Sequence, residues 1–140
     1  MTETEPPPAE RPGARDRAKV ILGIDDSTED LGLLNLILMG AGYSFVGASN
    51  PDDACNLVLR APPRLILLDI QMPQANGFET CQRLRSMPEA QHIPIAFLTA
   101  RKSRADVKRG LEVGGNDFII KPFDRDKLLA WVHHWTTRRV

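Results

Sequence analysis

The sequence of 140 residues lacks the features that would place it outside the cell or in a membrane. No apolar run approaches the roughly 20 residues that a membrane-spanning helix needs. The first residues, Met1 to Glu5, lack the basic and then apolar pattern of a secretory signal. The 2 cysteines, Cys55 and Cys81, are too few for a disulfide framework and are not spaced as metal ligands. We therefore expect a cytoplasmic protein whose cysteines are buried free thiols.

An excess of charge of one sign is also missing, because 18 Lys and Arg residues balance 18 Asp and Glu residues. This balance argues against direct binding of nucleic acid or of a membrane surface. The length suits about one domain with a single filled core. Residues 1–17 are proline-rich and contain no large apolar side chain after Met1, so we expect a disordered tail there and a folded domain at 18–138.

The folded part alternates short apolar runs with amphipathic segments. Continuous apolar runs suit strands that are buried on both faces of a parallel sheet. The predicted strands span residues 19–24, 43–49, 65–69, 93–99 and 117–120. Caps, turn residues and helical spacing (Val107 and Leu111 in the fourth helix) predict helices beginning near Ser27, Asn50, Gly77, Ser103 and Asp124. The alternation predicts an α/β fold, a doubly wound five-stranded parallel sheet with right-handed crossovers and five helices on its two faces.

Asp69 ends the apolar run Leu65–Leu68 and is our first candidate for function. An unpaired charge in a buried strand costs roughly several kcal/mol. The cost is relieved at the carboxyl edge of an open α/β sheet, where ligands bind and cations gather. The following residues, 70–77, are typical of a turn because they include Pro73 and Asn76-Gly77. We therefore expect Asp69 at a strand end, facing a loop.

Polar side chains also stand where other predicted strands end. Asp25 and Asp26 follow the first strand, Thr99 ends the fourth, and Lys121 follows the fifth. Because parallel strands end along one edge, these side chains can converge on Asp69. Three carboxylates favour a hard divalent cation that takes oxygen ligands. A cation, an ammonium group and a hydroxyl around one carboxylate suit phosphoryl transfer, with Asp69 as the nucleophile that forms an acyl phosphate.

Five short motifs occur in order between about residues 19 and 137. They are Ile24-Asp25-Asp26-Ser27, Leu68-Asp69-Ile70-Gln71-Met72-Pro73, Asn76-Gly77, Leu98-Thr99-Ala100 and Asn116-Asp117-Phe118-Ile119-Ile120-Lys121-Pro122-Phe123. Together they resemble the CheY-like receiver domain of response regulators, the phospho-accepting half of two-component signalling. The resemblance implies a flavodoxin-like fold. It also implies a signalling switch rather than an enzyme, because a receiver domain catalyses only its own phosphorylation and dephosphorylation.

The resemblance also implies roles for individual residues. Asp26, Asp69 and the backbone carbonyl of Gln71 would ligate Mg²⁺, or Mn²⁺ in its place, while Asp25 would help through water. Lys121 would contact a phosphoryl oxygen. The phosphoryl group would come from a histidine kinase or a histidine phosphotransfer protein.

The same resemblance implies a conformational response. Thr99 would be the switch hydroxyl, Phe118 the aromatic switch that turns inward, and the Lys121–Pro122 peptide would be cis. The surface of the fourth helix, fifth strand and fifth helix would change and control a downstream protein or an output domain of a longer chain. We expect a monomer, with dimerisation on phosphorylation left open.

Two variable positions, Gln71 and Arg101, are associated by the resemblance with the lifetime of the phosphorylated state. We expect their long side chains to slow attack by water. Basic residues crowd the start of the fourth helix, as either a solvated face or a docking patch for an acidic partner; they are Arg101, Lys102, Arg104, Lys108 and Arg109.

Two alternatives come from other functional classes. A phosphatase of the haloacid-dehalogenase type also uses an aspartyl nucleophile at a strand end. Such enzymes carry a second Asp two residues on, where this chain has Gln71, which cannot transfer protons. A flavodoxin-like cofactor module would need a glycine-rich phosphate cradle after the first strand, and acidic Asp25 and Asp26 stand there instead. Taken alone, those two acids could merely cap a helix.

Overall fold

The computed structural model describes residues 20–73, 75–100 and 102–137, and within these ranges five parallel strands alternate with five α-helices. The strands are β1 (Val20–Ile24), β2 (Ser44–Ala48), β3 (Leu65–Asp69), β4 (Ile95–Thr99) and β5 (Asp117–Ile120). The helices are α1 (Thr28–Gly40), α2 (Pro51–Arg60), α3 (Gly77–Arg85), α4 (Arg104–Glu112) and α5 (Arg125–Thr137). The disordered tail predicted at 1–17 lies outside the described residues.

The strands form one sheet in the order β2-β1-β3-β4-β5, which confirms the predicted doubly wound, flavodoxin-like arrangement. β3 lies in the middle, and all of its residues are buried, as expected of an apolar run covered on both faces. Ile24 pairs with Leu68, and Thr99 pairs with Ile120. Because the strands are aligned in this way, the residues at their carboxyl ends share one edge.

Two hydrophobic layers cover the two faces of the sheet. Successive residues of β3 alternate between them, since Ile66 and Leu68 face one layer while Leu65 and Leu67 face the other. Helices α1 and α5 cover the second face, and α2, α3 and α4 contribute to the first. Both cysteines are buried free thiols, as predicted. None of the helices in the described ranges is long and apolar enough to cross a membrane.

Each helix begins where a polar side chain caps it, at or next to the predicted start. A side-chain oxygen accepts a hydrogen bond from the backbone N–H three residues on, which satisfies a donor that the helix leaves unpaired. The caps are Ser27, Asn50, Asn76, Ser103 and Asp124. Because each helix follows a strand, these caps set each helix start after the loop that leaves the carboxyl edge of the sheet.

The orientation of α4 differs from what spacing alone suggested. Val107 is half-buried, but Leu111 is 56% exposed. Gly110 takes the buried position instead and lies against the rings of Phe97 and Phe118. A glycine at the contact lets the helix approach the two rings closely, so the apolar residue beside it turns outward.

Candidate functional site

The polar residues singled out in the sequence all lie at the carboxyl edge of the sheet. Asp25 follows β1 and its backbone N–H donates to the Ala48 carbonyl at 3.0 Å. The Lys121 N–H donates to the Thr99 carbonyl at 2.8 Å, which continues the ladder between β4 and β5. The Lys121–Pro122 peptide is cis, as the resemblance implied. Backbone pairing therefore holds these side chains at defined positions around the end of β3.

Three carboxylates form the acidic part of the site. Asp25, Asp26 and Asp69 each present an oxygen within 4.8 Å of the others. Asp25 is fully buried and Asp69 is 6% exposed, whereas Asp26 lies at the exposed mouth. Carboxylate oxygens at this spacing fit a hard divalent cation such as Mg²⁺, whose charge would offset their mutual repulsion.

Lys121 supplies the positive charge of the site. Its Nζ lies 2.8 Å from Asp25 Oδ2, 2.8 Å from Asp30 Oδ2 and 3.5 Å from Asp69 Oδ1. Burial by itself would lower the pKa of this amine, but the hydrogen bonds to Asp25 and Asp30 and the charge of Asp69 raise it above its ordinary value. The ammonium form is therefore secured within reach of Asp69.

Asp69 is the carboxylate whose protonation the site perturbs most clearly. Burial and then the negative charge of Asp25 raise its pKa to about 6, against the opposing influence of Lys121 and of the Gln71 backbone N–H. A more basic carboxylate is a better nucleophile once ionised, and an added cation would favour its ionised form.

The loop after Asp69 is a short hairpin in which Gln71–Met72 pairs with Ala75–Asn76. The Gly77 N–H donates to the Ile70 carbonyl at 2.7 Å and closes the loop. A β-carbon on Gly77 would collide with the backbone carbonyl of Asp69, so the glycine permits this close approach. This loop carries Gln71, which is exposed and stands two residues after the nucleophile in the chain.

Thr99 and Phe118 lie on the side of the site that faces α4. Thr99 is 8% exposed and borders a cavity of ≈ 460 Å³ between the Asp69 loop and the start of α4, lined by Ile70, Gln71, Thr99, Ala100, Ser103 and Asp106. The Phe118 ring points into the core, with its centroid 5.2 Å from that of Phe97. The cavity leaves open space beside Thr99 on the side of the site that faces α4.

The polar candidates Asp25, Asp26, Asp69, Thr99 and Lys121 are thus gathered at one edge, whereas Phe118 lies within β5 with its ring in the core. Arg101 lies outside the described residues, so its predicted effect on lifetime stays a prediction. The four other basic residues at the start of α4 are exposed, and both interpretations of them stay open. Asp30, in the first turn of α1, is not among the sequence-based candidates, yet its carboxylate contacts Lys121 directly.

Known proteins resemble this chain in both sequence and fold. Residues 21–133 match the family described as response regulator receiver domain. The chain is 37% identical over 116 residues to the response regulator PleD of Caulobacter vibrioides; the match covers 83% of this chain and 26% of that protein. The chain thus spans about a quarter of the length of this curated relative.

Two solved structures extend the comparison. The chemotaxis protein CheY4 of Vibrio cholerae superposes with a TM-score of 0.80 at 28% identity, covering 82% of this chain and 96% of CheY4. The receiver domain of sensor histidine kinase PA1611 from Pseudomonas aeruginosa, solved with a magnesium ion coordinated in its active site cleft, has a TM-score of 0.78 at 25% identity and covers 86% of this chain and 98% of that one. The chain described here belongs to the response regulator receiver domain family of two-component signalling.

Proposed function

We propose that this receiver domain accepts a phosphoryl group on Asp69 from the phosphohistidine of a histidine kinase or a histidine phosphotransfer protein. A carboxylate oxygen of Asp69 attacks phosphorus, a P–O bond forms, and the P–N bond breaks with its electron pair left on the imidazole nitrogen. The observation that carries the proposal is the placement of Asp69 at the strand edge, 3.5 Å from Lys121 and beside two further carboxylates.

Lys121 has two roles in this proposal. Before transfer its ammonium group offsets the repulsion between Asp25 and Asp69. After transfer it donates to a phosphoryl oxygen, because its three donors suit an added anion at the nucleophile. Its raised pKa keeps it charged throughout.

The carboxylates fit Mg²⁺, with Mn²⁺ as a substitute. Asp26, Asp69 and the backbone carbonyl of Gln71 would hold the ion directly, and Asp25 would act through water. When bound, the ion neutralises charge on the phosphoryl oxygens, the term that dominates this chemistry. The placement of Asp26 at the exposed mouth and Asp25 in the interior supports this division.

The switch would follow from the cavity beside Thr99. The Thr99 hydroxyl moves toward the new oxygens, and the phosphorylated state favours the inward position in which the Phe118 ring lies on Phe97. A phosphoryl group that favours one packing shifts the population toward it, and near-complete switching needs a differential of about 5 kcal/mol.

The output surface in this proposal is formed by α4, β5 and α5. Two large apolar side chains are exposed there, Leu111 at 56% and Ile120 at 43%. A cavity of ≈ 380 Å³ lies beside Ile120, between β5 and α5, with Phe118 and Trp131 in its lining. We propose that phosphorylation changes this surface to control a protein partner or an output domain, in a cytoplasmic protein with a tail at 1–17 and a receiver domain at 18–138.

Titration with beryllium fluoride, a phosphoryl mimic, in the presence of Mg²⁺ tests the proposal. Amide signals of Thr99 and Phe118 should shift in the NMR spectrum of the wild type and stay in place in Asp69→Asn. Unchanged spectra of the wild type at saturating concentration would contradict the phosphoryl site and its switch.

A further inference from the structure

Asp30 forms an ion pair with the site lysine that neither the sequence motifs nor the proposed phosphorylation account for. Its Oδ2 lies 2.8 Å from Lys121 Nζ, closer than the 3.5 Å that separates this nitrogen from Asp69 Oδ1. We infer that Asp30 is a positioning residue that competes with the phosphoryl group on Asp69 for Lys121. It thereby limits both the affinity of the site for a phosphoryl mimic and the lifetime of the phosphorylated state. The inference rests on the proposed function.

The start of α1 fixes where the Asp30 carboxylate points. The backbone N–H of Asp30 donates to Ser27 Oγ at 3.1 Å, and the Ser27 N–H donates to Asp25 Oδ1 at 3.0 Å. These bonds join the first turn of α1 to the buried end of β1. The Asp30 side chain consequently reaches across to Lys121 and leaves the capping of the helix to Ser27.

Lys121 has three N–H donors, and carboxylates occupy the space around them. Asp25 and Asp30 each accept at 2.8 Å, and Asp69 is the third and most distant neighbour. A phosphoryl group on Asp69 brings new oxygens that need a donor from Lys121. Asp25 is fully buried and belongs to the carboxylate cluster, whereas the side chain of Asp30 is 32% exposed and can be solvated when released. The bond to Asp30 is therefore the one that phosphorylation weakens.

The competition has a direction that can be measured. Replacing Asp30 with Asn removes the charge that draws Lys121 toward α1 and makes its ammonium group available to an anion on Asp69. A partly exposed ion pair contributes little, so we expect beryllium fluoride to bind only roughly two- to fivefold more tightly. Binding of Mg²⁺ alone should become no tighter, because the variant loses a negative charge and leaves Lys121 free to approach Asp69.

Glu29 provides a matched control in the same helical turn. It is exposed, and among the described residues it forms no ion pair with Lys121. Glu29→Gln removes the same charge next to the site and leaves the Lys121 contact intact. A gain in affinity for beryllium fluoride that comes only from reduced negative potential will appear in both variants. A gain that comes from relief of competition for Lys121 will appear only in Asp30→Asn.

The experiment measures dissociation constants of beryllium fluoride at saturating Mg²⁺, and of Mg²⁺ alone, for wild type, Asp30→Asn and Glu29→Gln. Urea unfolding verifies that each variant is folded. We expect tighter binding of beryllium fluoride only in Asp30→Asn, together with unchanged or weaker Mg²⁺ binding, and a proportionate slowing of acyl-phosphate loss. A purely structural Asp30 would weaken both ligands or affect neither.

Three results would overturn the inference: unchanged or weaker beryllium fluoride binding in Asp30→Asn, an equal gain in Glu29→Gln, or loss of an Asp30→Asn variant to unfolding. Each of these leaves the proposed function intact as long as the wild type binds the mimic. Failure of the wild type to bind it would instead overturn the proposed function, and the inference with it.

Discussion

The ring of Phe118 lies so close to the backbone of Gly110 that a β-carbon built on the glycine would stand 2.5 Å from Phe118 Cζ. The same β-carbon would stand 2.9 Å from Cε2 of Phe97. The inward position of Phe118 and the position of α4 are therefore coupled through a residue without a side chain. A close-packed contact of this kind cannot absorb added volume without movement of the ring or of the helix.

We predict that Gly110→Ala lowers the free energy of unfolding by about 1–3 kcal/mol, the usual cost of overpacking. Gly32→Ala is the matched control, because Gly32 lies in α1 and has nothing within 4 Å of an added β-carbon. That variant should instead gain about 0.5–1 kcal/mol from helix propensity. Urea unfolding measures both, and equal changes in the two variants would show that the contact with Phe118 carries no strain.

Arg85 at the end of α3 makes a set of hydrogen bonds that we expect to contribute strongly to the free energy of unfolding. Its guanidinium donates to the carbonyl oxygens of Gly114, Ala90 and Ile93 and to Oδ1 of Asn116, at 2.9, 2.6, 2.7 and 3.0 Å. These bonds tie α3 both to the segment that precedes β4 and to the turn that precedes β5. Burial lowers the pKa of this arginine, and no carboxylate partner accompanies it among its described bonds.

We predict that Arg85→Met costs about 2–4 kcal/mol of unfolding free energy, because partly buried carbonyls lose a charged donor. Arg83→Met is the control, since Arg83 pairs with Asp52 at a surface where the two side chains are 50% and 79% exposed. That change should cost less than about 1 kcal/mol. Similar losses in the two variants, measured in urea, would contradict a special role for the carbonyl contacts of Arg85.

Asp69→Asn should stabilise the fold at neutral pH. The folded-state pKa of Asp69 is raised to about 6 from an ordinary value of 3.8, so the folded protein holds this proton more tightly than the unfolded chain. The resulting instability is absent below the unfolded value and complete above the folded one. We expect a gain of about 1–2 kcal/mol near pH 7.5 that disappears near pH 4. A gain independent of pH would mean that ionisation of Asp69 is not its cause.

The stabilising effect of Mg²⁺ should also be larger at neutral than at acidic pH. Ligation needs the carboxylate form, so Mg²⁺ must displace the proton that Asp69 retains below a pH of about 6. Millimolar Mg²⁺ should raise the thermal unfolding midpoint clearly near pH 7.5 and much less near pH 5. Thermal scans at both pH values measure this, and an equal rise at each would remove Asp69 from the ligand set.

The fold and the members of the edge cluster were predictable because their signals are local. Apolar runs that end in Asp69 or Thr99 mark strand ends, and Ser27 and Asn50 mark helix starts. The convergence of Asp25, Asp69 and Lys121 then follows from one rule, that parallel strands end at the same edge. At these positions the residue types and the parallel topology predict the same location, the carboxyl edge of the sheet.

What the sequence did not show depends on packing between distant segments. Asp30 and Lys121 are 91 residues apart, and as a residue of the first helical turn Asp30 had an adequate local explanation. The bonds of Arg85 go mainly to backbone carbonyls, which leave no trace in side-chain pattern. The rotation of α4, with Gly110 inward and Leu111 outward, was decided by the shapes of Phe97 and Phe118.

Phosphorylation mapping tests the central claim most directly. The protein is incubated with a small acyl phosphate and Mg²⁺, and the modified residue is identified by mass spectrometry under conditions that preserve acyl phosphates. We predict one added phosphoryl group on Asp69 of the wild type. The group should not form when Mg²⁺ is chelated before the reaction, and it should be absent from Asp69→Asn. A phosphoryl group on any other residue, or none on the wild type, would contradict the account.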